Sequence, residues 1–81
     1  MKATVIVRPK PGILDPQGEA VQGSLRQLGF SVEEARVGRV VDLELENGDP
    51  GRVRADLERM CEQLLANPLI ESYEIDIRED A

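Results

Sequence analysis

The sequence contains no histidine and no tryptophan, one cysteine (Cys61), and only Phe30 and Tyr73 as aromatic side chains. Without histidine, the usual general base and the commonest metal ligand are missing. A single cysteine can form neither an internal disulfide nor a thiolate metal cluster. It points instead to a reducing compartment. The opening stretch meets charge at Lys2 and again at Arg8, too early to read as a secretory signal, so a cytoplasmic chain is expected. No apolar run approaches the ~20 residues that span a bilayer. Two aromatics cannot build a base-stacking platform. A net charge of −6 works against binding to phosphate backbones. Neither nucleic acid nor a membrane is therefore expected as a partner.

What remains is rich in apolar periodicity and in turn signals. The 81 residues amount to one domain, 1–81, with a polar tail at 78–81. A chain this short buries only ~60% of its unfolded surface, so its stability margin is thin and favours association. Lys2 to Arg8 alternates with β-branched residues, Val5 and Val7 sharing one face, and Pro9-Lys10-Pro11-Gly12 stops the strand. Asp15 caps a first helix that Pro16 opens. Its stripe is Val21, Leu25 and Leu28, and Gly29 ends it. Val32–Val37 and Val40–Glu46 read as strands around Gly38-Arg39. The first is interrupted by Glu33, Glu34 and Arg36, and a tight turn would set Glu33 against Glu44. Either the first of these strands lies at an edge, or Gly38 bends one long ribbon. After Asn47-Gly48, Asp49 and Pro50 start a second helix with Val53, Leu57, Met60, Cys61 and Leu64 on its stripe. Asn67-Pro68 stops it, and Leu69–Ile77 forms a last strand with Tyr73, Ile75 and Ile77 on one face.

The predicted fold class is α+β, a two-layer sandwich of order β-α-β-β-α-β. A four-stranded, mainly antiparallel sheet carries both helices on one face. The other face stays open, and Ile6, Val40 and Ile70 fall on it by parity, which makes them candidates for self-association.

The search for chemistry is short. Cys61 sits on the apolar stripe of the second helix, a core position rather than a nucleophile's. Asp42, Glu44 and Glu46 alternate outward as a solvated acidic face. The Pro9–Gly12 loop lacks the glycine and lysine spacing that cradles phosphate. No catalytic residue and no metal ligand is assigned.

Several stretches together resemble a known family. They are Leu14-Asp15-Pro16-Gln17-Gly18 after the first strand, Leu28-Gly29-Phe30, and Val37-Gly38-Arg39. Met60-Cys61, Leu64-Leu65-Ala66-Asn67-Pro68 and Ile70-Glu71-Ser72-Tyr73 complete the set. In order and spacing this series is similar to the PurS-type small subunit of phosphoribosylformylglycinamidine (FGAM) synthase, over roughly Lys2 to Ile77. Where that family usually carries lysine after the central glycine, this chain has Arg39, which keeps the charge.

The resemblance implies a non-catalytic subunit of a three-part enzyme of purine biosynthesis. One large subunit frees ammonia from glutamine. Another uses ATP and Mg to convert formylglycinamide ribonucleotide to the amidine. The small subunit, a homodimer or homotetramer that binds no cofactor itself, holds the two together and assists ammonia transfer. Lys10, Asp15, Arg36, Gly38, Arg39, Asn67 and Pro68 become the candidate contacts with those subunits. Among them Asp15, Asn67 and Pro68 also have ordinary helix-end roles, whereas Lys10, Arg36 and Arg39 show no core role in the sequence. Two rival readings use the same element order: an ACT-like regulatory domain that binds small molecules, and an acylphosphatase-type enzyme, whose anion loop is missing here.

Overall fold

The computed structural model describes residues 1–46 and 48–78. They form β1 (Lys2–Pro9), α1 (Pro16–Gln27), β2 (Arg39–Glu44), α2 (Pro50–Met60), a π-helical turn (Cys61–Leu65) and β3 (Glu71–Arg78). Asn47 of the expected turn and residues 79–81 of the expected tail lie outside the described residues, and Arg78 is the last residue of β3.

The three strands make one antiparallel sheet in the order β2-β1-β3. β1 is central because its alternation is the cleanest. Ala3, Val5 and Val7 are almost completely buried, and Val5 is flanked by Val41 on one side and Ile75 on the other. α2 covers this face. Val53 and Leu57 pack with Met1 and Ala3, while Cys61 and Ala66 pack with Val5 and Val7. Val53, Leu57 and Cys61 recur every four residues, and the next buried position, Ala66, comes after five. The Ala66 amide donates across the same interval to the Cys61 carbonyl at 3.0 Å, so the wide turn rotates Ala66 inward beneath Cys61. Leu64, expected on the stripe, is left 82% exposed as a result.

Three expectations are corrected. The described residues form three strands, not four, because 32–37 is not a strand. Its backbone is bonded to α1 side chains instead: Arg26 donates to the Val32 and Glu33 carbonyls, the Ala35 amide to Gln22, and the Val37 amide to Asp15. Polar groups satisfied in this way have no need of a ladder, and Glu44 pairs with Lys2 on β1 rather than meeting Glu33. So neither the hairpin nor the bent ribbon forms. Secondly, among the described residues α2 and the turn that follows it pack on the sheet, and α1 does not. Val21 of α1 and Leu28 at its C-cap are exposed, and neither core cluster of the described residues contains an α1 residue. Thirdly, β3 begins at Glu71 rather than Leu69, because the amides of both Ile70 and Glu71 donate to the Asn67 carbonyl in a turn.

Candidate functional site

The open sheet face is a lattice of exposed charge. Lys2 faces Glu44, Arg8 faces Glu74 at 3.1 Å, and Thr4 bridges Asp42 and Arg78. Such exposed pairs add little stability, and Ile6 and Val40 are the aliphatic exceptions among them. At one end of this face the loop after β1, the start of β2 and the turn before β3 converge, and nearly every predicted contact residue lies there.

Asp15 serves two elements at once. One carboxylate oxygen accepts from the Gly18 amide at 3.1 Å and caps α1, while the other accepts from the Val37 amide at 2.8 Å. Those two bonds, Val37 first, hold its carboxyl below the ordinary value of 3.8. Arg36 reaches back to the carbonyls of Lys10 and Ile13 and pairs with Glu34. Lys10 closes the loop from the other side, donating to the Pro68 carbonyl at 2.6 Å, and its amide meets the Ile70 carbonyl. Arg39 makes two bonds to Glu71, at 2.7 and 3.1 Å, and a third to the Leu65 carbonyl. Glu71 in turn accepts from the Asn67 amide. The guanidinium, and after it the amide, pull the Glu71 carboxyl below its ordinary value, and the same pairing raises Arg39. Lys10, Arg36 and Arg39 therefore do have internal roles, each holding backbone carbonyls of a neighbouring segment.

Gly38 sits where β2 leaves the loop. A Cβ there would overlap the Val7 carbonyl oxygen, so only glycine lets the chain enter the sheet this close to β1. Asn67 stops the helix without a left-handed backbone, since among the described residues no non-glycine residue has positive φ. Its side chain accepts from the Leu69 amide at 3.1 Å, an Asx turn that carries Pro68 across the helix end. Glu71, which was not among the candidate contacts, is the acceptor that ties Arg39 to Asn67. An acidic residue four positions after the asparagine was the available signal.

A cleft of about 470 Å³ opens beside this junction, lined by Ile6, Val7, Arg8, Pro9, Arg36, Gly38, Arg39 and Val40. It joins two groups the sequence kept apart, the aliphatic pair Ile6 and Val40 and the cations Arg36 and Arg39. Ile70 lines a neighbouring cleft with Asp15, Arg39 and Glu71. Among the described residues, no group of three or more His, Cys, Asp or Glu side chains is arranged to hold a metal ion. Cys61 is buried, and burial together with Glu62 and Glu58 pushes its thiol up, away from the reactive thiolate.

Fold and site thus define a small α+β domain in which the unusual residues tie loops together beside an open face of paired charges broken by Ile6 and Val40. The chain belongs to the PurS family of FGAM synthase, whose profile, described as "Phosphoribosylformylglycinamidine (FGAM) synthase", matches residues 2–79. The PurS subunit of Methanocaldococcus jannaschii is 40% identical over 79 residues, 96% of this chain and 95% of that protein. Its crystal structure superposes with a TM-score of 0.85 over 99% of this chain and 98% of that one. Bacillus subtilis PurS, 38% identical, gives 0.88 over 96% of this chain and 98% of that one. A chain of the PurLQS structure from Thermotoga maritima, 32% identical, gives 0.82 over 93% of each. The ACT-like and acylphosphatase readings are not favoured by these likenesses.

Proposed function

We propose that this chain is the non-catalytic small subunit of an FGAM synthase complex. It joins a glutaminase subunit to a large ATP- and Mg-using synthetase subunit in the cytoplasm and assists the passage of ammonia between them. It does so as a homodimer or homotetramer. The observation that carries the reading is the full-length likeness to PurS proteins, including a chain of similar fold in the PurLQS structure. The cleft formed by Ile6, Val40, Arg36 and Arg39 is the docking face, its arginine side for the larger subunits and its Ile6 and Val40 side, with Ile70 nearby, for a second copy of the chain. It offers apolar contact inside a charged rim, the composition typical of specific interfaces. Lys10, Asp15, Gly38, Asn67 and Pro68 act by shaping that face, since their hydrogen bonds and close contacts fix the three segments that border it.

The test is reconstitution. Purified chain is mixed with both larger subunits, glutamine, ATP, Mg and formylglycinamide ribonucleotide, and glutamine-dependent turnover is measured. Turnover should collapse when this chain is omitted. Equal turnover without it would refute the reading.

A further inference from the structure

The longest uncharged run in the sequence is 63–70, eight residues of a chain that is 32% charged. Among the described residues it carries the two most exposed large aliphatic side chains, Leu64 at 82% and Leu69 at 83%. A connector from a helix to an edge strand needs only polar turn residues. Leucines turned outward on it stabilise nothing in the single chain. An apolar centre without charge is what the middle of an interface looks like.

The backbone beneath these leucines is tied down almost group by group. The Ala66 amide donates to the Cys61 carbonyl, the Asn67 amide to Glu71 at 2.7 Å, and the Leu69 amide to the Asn67 side chain at 3.1 Å. The Ile70 amide donates to the Asn67 carbonyl. On the acceptor side, the Leu65 carbonyl takes a bond from Arg39, and the Pro68 carbonyl takes one from the Lys10 ammonium. The Lys10 amide holds the Ile70 carbonyl at 2.9 Å. Arg39 and Lys10 reach in from β2 and from the loop after β1, so distant parts of the chain fix this turn. Two consequences follow. The segment can lose its water at a contact without stranding these amides and carbonyls. Its shape is also set before a partner arrives, which lowers the ordering cost of binding. The wide π-helical turn that rotates Ala66 inward is the same feature that leaves Leu64 outside, and such turns recur at functional sites.

The occupant is a different chain. The clefts described on this protein all carry charged side chains, from Arg36 and Arg39 beside β2 to Asp42 and Arg78 along the sheet. A leucine seated in one of them would strip water from those charges. Insertion of one copy's turn into another copy's cleft would also be a head-to-tail contact, which extends into open chains unless the rotation closes. The turn adjoins the arginine side of the docking face, because Arg39 belongs to both.

Resting on the reading above that the chain joins two larger subunits, we propose that Leu64 and Leu69 are a preformed apolar plug. They seat in an uncharged socket on one of those larger subunits. Asn67, Arg39, Lys10 and Glu71 are positioning residues that hold the turn in its docking shape.

Binding of the chain to each larger subunit, with glutamine, ATP and Mg present, tests this. Thermal unfolding and sedimentation of the isolated chain serve as controls. Leu69→Asp and Leu64→Asp, tested separately, should each weaken binding to the same larger subunit by roughly tenfold or more. Both variants should keep the natural Tm to within a few degrees, since each side chain is exposed, and the natural sedimentation mass. Unchanged affinity of both variants for both larger subunits, while the natural chain binds, overturns this proposal alone. A drop in the variants' own mass would give the leucines to a second copy and overturn it as well. Failure of the natural chain to bind either subunit would overturn the complex reading, and the plug with it.

Discussion

Gly38 and Gly23 make opposite predictions for the same substitution. At Gly38 an added Cβ would overlap the Val7 carbonyl oxygen and lie 3.3 Å from its carbon and 3.4 Å from the Arg8 Cα. All three are backbone atoms of the central strand, so no rotamer change relieves the clash, and the entry to β2 must move off β1. Overpacking of this kind costs about 1–3 kcal/mol. Gly23, in the middle of α1, has nothing within 4 Å of an added Cβ. Alanine there removes backbone entropy from the unfolded chain and gains about 0.5–1 kcal/mol. With an unfolding entropy near 2.1 cal/mol/K per residue, 81 residues give about 170 cal/mol/K, so each kcal/mol moves Tm by about 6 °C. Gly38→Ala should therefore lower Tm by about 6–18 °C and Gly23→Ala should raise it by about 3–6 °C. The assay is thermal unfolding by circular dichroism at one fixed chain concentration, because self-association makes Tm depend on concentration. Equal shifts for the two variants, or a gain for Gly38→Ala, would refute the steric argument.

Two further outcomes follow from the titratable groups. Cys61 is wholly buried with its thiol pushed up, so it should resist a thiol reagent in the native protein and react fully in guanidinium; rapid native labelling would contradict its place in the core. Asp15 and Glu71 both titrate below their ordinary values of 3.8 and 4.5 when folded. A depressed folded pKa contributes stability that is fully present above the ordinary value and is lost as the pH falls through the depressed one. Between about pH 5 and pH 3 the Tm of the natural chain should thus fall more than that of Asp15→Asn, whose side chain cannot lose a charge, and parallel curves would remove Asp15 from the acid response.

The helix starts were legible because their chemistry is local. Asp15 and Asp49 accept from amides three positions on, and both prolines fill a position that needs no amide. The first strand was legible because a period of two in Val5 and Val7 marks one buried face, whereas its central place in the sheet was not. The stretch 32–37 resembles a strand in sequence because it carries Val32, Ala35 and Val37 at spacings that a strand tolerates. Its hydrogen-bond partners, Arg26, Gln22 and Asp15, lie 6, 13 and 22 residues away, and sequence patterning says nothing about which donor reaches which carbonyl first. That the candidate contact residues meet at one end of the fold was not legible, nor was the hold of Glu71 on Arg39, since that pair is separated by 32 positions.

By itself the sequence determined which residue types the chain lacks, where its helices begin, where its first strand runs, and the family to which it belongs. These depend on residue type and short spacings, which are written directly into the order of amino acids. Only the tertiary structure decided that one helix covers the sheet and the other stands apart. It also decided that the loop at 32–37 spends its hydrogen bonds on α1, and that Arg39, Glu71 and Asn67 form one tie. Those outcomes depend on competition among distant partners for the same surface and the same polar groups, and that competition is resolved only when the chain is folded.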